Sequence, residues 1–411
     1  MDYIFSKVTG FQVDSRKIKP GEAFFALPGQ KVDGTRFLEQ AANNKGIIAF
    51  IPADYRGKCF GLRVIRVECV LGALQELARR SLENEKIIGI TGSLGKTSTK
   101  ELLFQLLDGD IDVYKNPRSY NGQIGLPLSI LNRDRSKKTL ICEYGIDQVG
   151  GMDKLLEIAR PDIGLLTKIS EVHLEGLKNL EGVKREKCKL LHASKKTICE
   201  KGVFQADRTF GKDGDVWIEK RGNKVILNDL GENEINPPFL EEHMLFNLQA
   251  AYLVARECGV SKERLIEKIQ SLKLPEMRFQ KVKKGDITII KDMYNASVES
   301  NKAALTSMPS GGRKIGVLGD MVDMGNKADE LHHKVGEIAS ECVDILLLVG
   351  EKSKEMKKGF EKNNKKPCFH FSDKDKLCVY LKNLLQKDDI VLIKGSRFMQ
   401  METIYKNVFE D

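Results

Sequence analysis

No run in the 411-residue sequence approaches the ~20 consecutive apolar residues that span a bilayer, which argues against a helical membrane protein. The first residues, Met1-Asp-Tyr-Ile-Phe-Ser-Lys-Val8, lack a basic stretch followed by an apolar one and lack a small-residue cleavage site. No export signal is read there, and a cytoplasmic location is expected. No Cys-x-x-C pair occurs among the nine scattered cysteines. An odd, dispersed set argues against a disulfide framework and a structural zinc site, so reduced, mostly buried thiols are expected. Missing too is a basic arm or a basic stripe interleaved with aromatics, because 67 Lys and Arg are mixed with 58 Asp and Glu. The densest basic stretches, 352–358 and 362–366, read as solvated helix faces and loops. The formal charge of +9 then suits polyanionic small substrates such as nucleotides better than nucleic acid. No hydrophobic heptad seam marks a coiled-coil assembly, and a monomer is expected.

Present instead, from Lys86 to Lys100, is an apolar run that breaks into a glycine loop and then into a helix-forming segment. Gly92, Ser93, Gly95, Lys96, Thr97 and Ser98 form a candidate phosphate cradle. The two glycines let the backbone approach an anion, and a helix starting near Lys96 turns its free N–H groups and positive dipole end to the same point. Lys96 is expected on the β/γ-phosphates of ATP and the Thr97 hydroxyl on Mg²⁺. The strict G-x-x-x-x-G-K-S/T spacing is not met, because Ile90 stands where the first glycine belongs. The competing reading is a strand-to-helix turn with a surface lysine.

At ~150 residues per domain the length allows two or three domains, and three are taken: 1–84, 85–274 and 275–411. The first reads as a small α/β unit whose unusual feature is Asp14-Ser15-Arg16 at a strand end. An arginine and a hydroxyl there suit a phosphate or a uracil edge, and a plain turn with a surface ion pair fits equally well. The second alternates short apolar strands (113–114, 139–144, 162–167) with helices, as in a buried parallel sheet. Ligands in such sheets gather at the carboxyl ends of the strands, where Asn121, Glu143 and His173 fall. A glutamate there is placed to reach Mg²⁺ directly or through water. In the next helix, Lys187 occupies the apolar face between Val183 and Leu190. It must snorkel, pair, or be modified, for instance to a carbamate. Residues 198–240 read as strands joined by polar turns, a helix follows from about 245 to 258, and Pro275 marks a boundary. The third segment alternates strands and helices as an open doubly wound sheet, with Lys394-Gly-Ser-Arg397 ending one strand and no G-x-G-x-x-G dinucleotide motif.

Over nearly its whole length the chain resembles the Mur ligase family. The motifs that carry the resemblance are Thr91-Gly-Ser-Leu-Gly-Lys-Thr97, Tyr120-Asn-Gly-Gln-Ile-Gly-Leu-Pro127, Glu143-Tyr-Gly145, His173-Leu-Glu-Gly176, Asp292-Met-Tyr-Asn-Ala296, the stretch 318–325 and Lys394-Gly-Ser-Arg397. The resemblance implies a three-domain α/β fold: a small UDP-substrate-binding domain, a central P-loop ATPase domain and a C-terminal Rossmann-like domain. It also implies an ATP-dependent ligase of peptidoglycan precursor synthesis that joins D-alanyl-D-alanine to UDP-N-acetylmuramoyl-tripeptide through an acyl phosphate. Carried over, Lys96 grips ATP, Thr97 and Glu143 hold one Mg²⁺, and His173 with a carbamylated Lys187 serves a second. Asn121 lies beside the transferred phosphoryl group, Asn247 near the adenine, and Arg278, Asp292 and Asn295 near the ribose or phosphates. Asp14, Ser15 and Arg16 meet the uridine diphosphate, while Lys394, Ser396 and Arg397 meet substrate. The sequence departs from the family at Asn121-Gly122, His243-Met244, Lys291-Asp292 and Cys188-Lys189.

Three other readings compete. A related Mur ligase adding the third, diamino acid residue would carry Asp-Asn-Pro-Arg in its third domain, whereas Asn116-Pro-Arg118 here lies in the ATP domain. A folylpolyglutamate-synthase-like enzyme lacks such a first domain. A catalytically reduced nucleotide-binding regulatory module is motivated by the departures near Asn121 and Asn247, and opposed by the presence of Glu143, His173 and Lys187.

Overall fold

The computed structural model describes residues 2–29, 32–117, 119–322, 324–362 and 364–410. Arg118 of the discounted Asn-Pro-Arg resemblance, Asp323 of the 318–325 motif and Asn363 of the second basic stretch lie outside the described residues.

The first sheet is parallel and runs in chain order, Phe11–Gln12, Ala23–Phe25, Ile48–Pro52 and Arg63–Val67. The helix Val70–Ser81 covers one face because Val70, Leu74, Leu77 and Ala78 recur at helical spacing and are buried. Leu38 and Ala41 of the short helix Leu38–Asn43 pack on the other face with Phe24 and Ile51. The strand Arg63–Val67 was not expected. It lies at the sheet edge with Arg63 and Arg66 exposed, so its sequence carries no continuous apolar run.

The central sheet is parallel and six-stranded, in the order Arg208–Phe210, Lys196–Glu200, Ile163–Leu166, Lys86–Thr91, Thr139–Glu143, Val113–Lys115. Lys86–Thr91 is therefore an inner strand. Its partners align Ile90 with Glu143 on one side and Thr91 with Leu166 on the other, which brings Glu143 and Thr167 alongside the loop that leaves Thr91. Residues 217–235 form the expected strands and polar turns, as a three-stranded antiparallel sheet.

The third sheet runs Gln280–Lys284, Ile287–Asp292, Ile390–Lys394, Lys314–Gly319, Ile345–Val349, Cys368–Phe371, and is parallel apart from its first, antiparallel edge strand. That edge strand, Gln-Lys-Val-Lys-Lys, was also unforeseen, since Val282 is its sole apolar residue. Asp292 and Lys394 lie in register at adjacent strand ends.

All nine cysteines are free, and five of them are buried, which matches the expectation of reduced core thiols. The dense basic stretches are mostly paired: Lys352 with Asp329, Lys358 with Glu355 and Lys362 with Glu337. No helix among the described residues is long and apolar enough to cross a membrane.

The first unit is fastened to the second through polar groups as well as core. Asn132 accepts the Phe11 N–H and donates to the Phe11 carbonyl, both at 2.9 Å, as a strand partner would. Next to it Arg133 pairs with Glu85 and donates to the Ser81 hydroxyl at 3.0 Å; both side chains of the ion pair are almost wholly buried. Burial works to raise the Glu85 pKa, but the Arg133 hydrogen bonds, backbone N–H groups at Glu83 and Glu85 and the Arg133 charge together hold the carboxyl below its ordinary range. Such a carboxylate contributes stability above its unfolded pKa and loses it as pH falls. Arg133→Met strands the Glu85 charge and is expected to cost about 3 kcal/mol in urea unfolding at pH 7. The difference from wild type should shrink once the pH falls below the carboxylate range.

Candidate active site

The strand Lys86–Thr91 ends in Gly92, whose φ of 150° suits glycine, and the helix Lys96–Leu107 begins after Gly95 at φ 82°. Both glycines are also sterically required. A Cβ on Gly92 would lie 1.9 Å from Thr167 Oγ1, and one on Gly95 2.2 Å from Asn247 Oδ1. The Lys96 ammonium folds back over the loop, donating to the carbonyls of Gly92 at 2.7 Å and Ser93 at 3.2 Å. The Ser93 hydroxyl donates to Ser170 O at 2.9 Å. Burial, helped by Arg278 and opposed by Glu143, holds Lys96 below the usual lysine range.

Glu143 is the hub. It is 2% exposed, and its two oxygens accept from Thr97 Oγ1 at 3.0 Å and Asn121 Nδ2 at 2.8 Å. Two further groups that the sequence did not single out complete its setting. Asn116 Oδ1 accepts the Glu143 N–H at 2.9 Å, and Lys100 places its ammonium 3.6 Å from the carboxylate while donating to Asn116 O. Lys100 reads as an ordinary helix lysine; only its spacing of four residues from Lys96, on the side facing the sheet, hints at its burial.

Helix Glu242–Glu257 supplies Asn247, which accepts from Thr99 Oγ1 at 3.4 Å and sits against Gly95. From the third unit, Arg278 reaches across to donate to Thr97 Oγ1 at 3.3 Å, and its guanidinium lies 4.0 Å from the Tyr294 ring centroid. Burial depresses its pKa against the pull of Asp292 and Glu143. Asp292 accepts from Lys394 at 2.6 Å, and Lys394 also donates to Asn295 O at 3.0 Å. These groups line one cleft of about 1000 Å³ between the second and third units, together with Ser98, His173 and Asp147.

Lys187 is wholly buried in helix Leu180–Ala193, and its Nζ has no hydrogen-bond partner among the described residues. That removes snorkelling and hydrogen-bonded pairing from the three sequence readings. Burial above all, then Lys96, pushes its pKa well below the usual lysine range despite Glu143, Asp147 and Glu186, which favours the neutral amine. His173 precedes the short helix Leu174–Leu177 at φ 52°.

Not every candidate joins the cleft. Ser396 is fully buried and accepts the Val322 N–H at 3.0 Å, while Arg397 is exposed and pairs with Glu402 at 2.6 Å. In the first unit Asp14 accepts both Arg16 Nε and Nη2 at 2.9 Å, which lowers its pKa to about 2, and the Ser15 hydroxyl donates to Gln40 at 2.6 Å.

These parts define a phosphate-loop, nucleotide-binding enzyme whose cleft is walled by a second, Rossmann-like unit. Three family models match the chain in succession: Mur ligase family, catalytic domain at 7–81; Mur ligase middle domain at 90–254; and Mur ligase, glutamate ligase domain at 277–397. The UDP-N-acetylmuramoyl-tripeptide--D-alanyl-D-alanine ligase of Bacillus subtilis is 30% identical, over 98% of this chain and 93% of its own. The MurF ligase of Thermotoga maritima in complex with ADP superposes with a TM-score of 0.86 at 27% identity, over 100% of this chain and 98% of its own. MurF from Acinetobacter baumannii gives 0.85 at 25%, over 98% and 94%. The chain belongs to the Mur ligase family. Within that family it is of the MurF type.

Gly95→Ala is expected to weaken ADP binding at least about tenfold, because the new methyl must displace Asn247 and the αL cap disfavours any side chain. Titration calorimetry measures it, and unchanged affinity would contradict the placement of the phosphates on this loop.

Proposed function

We propose that the chain joins D-alanyl-D-alanine to UDP-N-acetylmuramoyl-tripeptide at the expense of ATP, as a cytoplasmic monomer acting in peptidoglycan precursor synthesis. Residues 1–84 take the uridine nucleotide, with Asp14, Ser15 and Arg16 at its diphosphate; 85–274 take ATP; 275–411 take the dipeptide. The observation that supports this most is the cleft itself, where a phosphate loop faces Arg278, Asp292 and Lys394 of a second unit across one cavity.

A carboxylate is a poor acyl donor. The terminal carboxyl of the tripeptide therefore attacks the γ-phosphorus of ATP, giving an acyl phosphate and ADP. The dipeptide amine then adds to the acyl carbon, and the tetrahedral intermediate expels phosphate and loses a proton as the amide forms. Charge that builds on the phosphoryl oxygens is met by Lys96, by the N–H groups at the start of helix Lys96–Leu107, and by Arg278. Asn121, fixed by Glu143, lies beside the transferred group. These donors are half-buried in the wall of the cleft, and a cleft filled by both substrates would keep water from the acyl phosphate.

The donor set fits Mg²⁺. Thr97 Oγ1 and a Glu143 oxygen lie 3.0 Å apart at the phosphate loop, a pair of hard oxygen donors of the kind Mg²⁺ takes. Thr97 and Glu143 would hold one ion, and His173 with Lys187 a second. When bound, the ions neutralise the phosphoryl oxygens. The neutral, partnerless Lys187 amine fits carbamylation, which turns it into a carboxylate that donates no positive charge to the cleft.

Lys96→Ala and His173→Ala are each expected to abolish phosphate release that depends on both UDP-N-acetylmuramoyl-tripeptide and D-alanyl-D-alanine, with unaltered circular dichroism; wild-type rates in either would sink the assignment. Mass analysis of the wild-type product should show the nucleotide heavier by one dipeptide less water. For Lys187, protein equilibrated with ¹³C-bicarbonate should show a carbamate resonance that fades as acid protonates the amine and is missing in Lys187→Ala. A spectrum identical in both proteins rules the carbamate out.

A further inference from the structure

Outside the phosphate machinery one buried side chain ties two backbone segments together. His332, on helix Ala328–Cys342, is wholly buried. Its Nε2 lies 3.0 Å from the Met321 nitrogen and its Nδ1 2.6 Å from the Ala328 carbonyl oxygen. A carbonyl only accepts and an amide N–H only donates, so Nδ1 carries the proton and Nε2 is bare. The imidazole is neutral and both of its nitrogens are used. Its two partners are the two ends of the turn that follows strand Lys314–Gly319.

That turn carries two groups into the cleft. Val322 and Met324 line it, and the Val322 N–H is held by Ser396. Beyond them the 3₁₀ turn Gly325–Lys327 packs on helix Leu174–Leu177, directly after His173. A Cβ on Gly325 would lie 3.7 Å from the Glu175 backbone, and the Lys327 ammonium lies 3.8 Å from Glu171. The charged groups around the imidazole are Asp320 at the strand end, Asp329 on its own helix and Lys352 before the helix Ser353–Glu361. Burial dominates and keeps the ring below its ordinary value of 6.5, so it stays neutral at neutral pH.

We propose that His332 is a positioning residue for ligation: as a neutral acceptor and donor it staples the ends of the turn, so that Val322 and Met324 stand as the apolar wall met by the methyl groups of the incoming dipeptide. The inference rests on the ligase reading above. On that reading the ATP phosphates sit on the loop of the second unit, and no contact of His332 among the described residues reaches that loop. A histidine needed for core packing alone would lower all kinetic constants and thermal stability together, whereas a staple acts on one substrate.

The test compares the full-length wild type with His332→Leu and His332→Gln, whose Oε1 reaches the Nε2 position and accepts without titrating. In His332→Leu the amides of Met321 and Val322 are expected to exchange hydrogen about tenfold faster, with KM for D-alanyl-D-alanine up about tenfold and KM for ATP within about twofold. His332→Gln should restore both. Faster exchange with an unchanged dipeptide KM, or a parallel loss in every constant that Gln does not rescue, overturns the proposal. Should the Leu variant fail to fold, the Gln variant decides. Below pH 6.5 the wild-type Met321 amide should lose protection relative to an unfolded reference while the Gln protein keeps it, and equal responses overturn the staple. Exchange is measured without substrates, so a wild type that does not ligate the dipeptide defeats the ligase reading separately from the staple.

Discussion

The cleft is built around a carboxylate kept out of water at the end of a buried strand. An ionised group such as Glu143 is tolerable there only if each lone pair has a partner. Thr97 and Asn121 take its two oxygens, and Lys100 balances its charge from below at 3.6 Å. Those partners come from two segments, the loop helix and the 116–125 turn, so satisfying one side chain at the end of the strand fixes the placement of both against it. The parallel register that aligns Ile90 with Glu143 makes this possible, since it delivers the carboxylate and the phosphate loop to the same sheet edge.

The two glycines of the loop show the same economy of space. Gly92 is pressed by Thr167 and Gly95 by Asn247, residues at the ends of a neighbouring strand and on a neighbouring helix. Neither position has room for a side chain, so the loop is packed in place before any anion arrives, and such preorganisation is where electrostatic stabilisation of a transition state gains most. The Lys96 ammonium rests on the loop carbonyls of Gly92 and Ser93; on the proposed function it would exchange those neutral acceptors for charged phosphate oxygens.

Much of this was legible in the sequence, and the pattern of what was not has a physical reason. Strands buried on both faces announce themselves as apolar runs, and those at the centres of the first, central and third sheets were readable, Lys196–Glu200 only as part of the stretch of strands and polar turns from 198. The edge strands Arg63–Val67 and Gln280–Lys284 were not, because an exposed edge selects for charge. Lys187 stood out because a lysine on an apolar helix face violates periodicity, and it is fully buried. Lys100 is equally buried but belongs to a helix rich in polar residues, so periodicity gave no warning. Lys394 was expected to meet substrate; it lines the cleft, with its ammonium held by Asp292 and the Asn295 carbonyl.

Arg278 shows why the site needs two bodies. The residues on either side of it, Met277 and Phe279, both adopt left-handed backbone at φ 58° and 52°, a conformation that costs about 1 kcal/mol or more for each such side chain. Met277 takes it as the third residue of the turn that the Arg278 N–H closes on the Pro275 carbonyl at 3.2 Å, and the Phe279 N–H donates to Asp292 Oδ1 at 3.3 Å. Between them the Arg278 guanidinium leaves its own unit, over Tyr294 and onto Thr97 of the phosphate loop. A cation held in this way by the third unit reaches the loop only when the two units are apposed. The chemistry benefits from that dependence. The acyl phosphate is stable only where water is excluded, and a charge that completes the site on apposition links the stabilisation of the phosphoryl group to the exclusion of water.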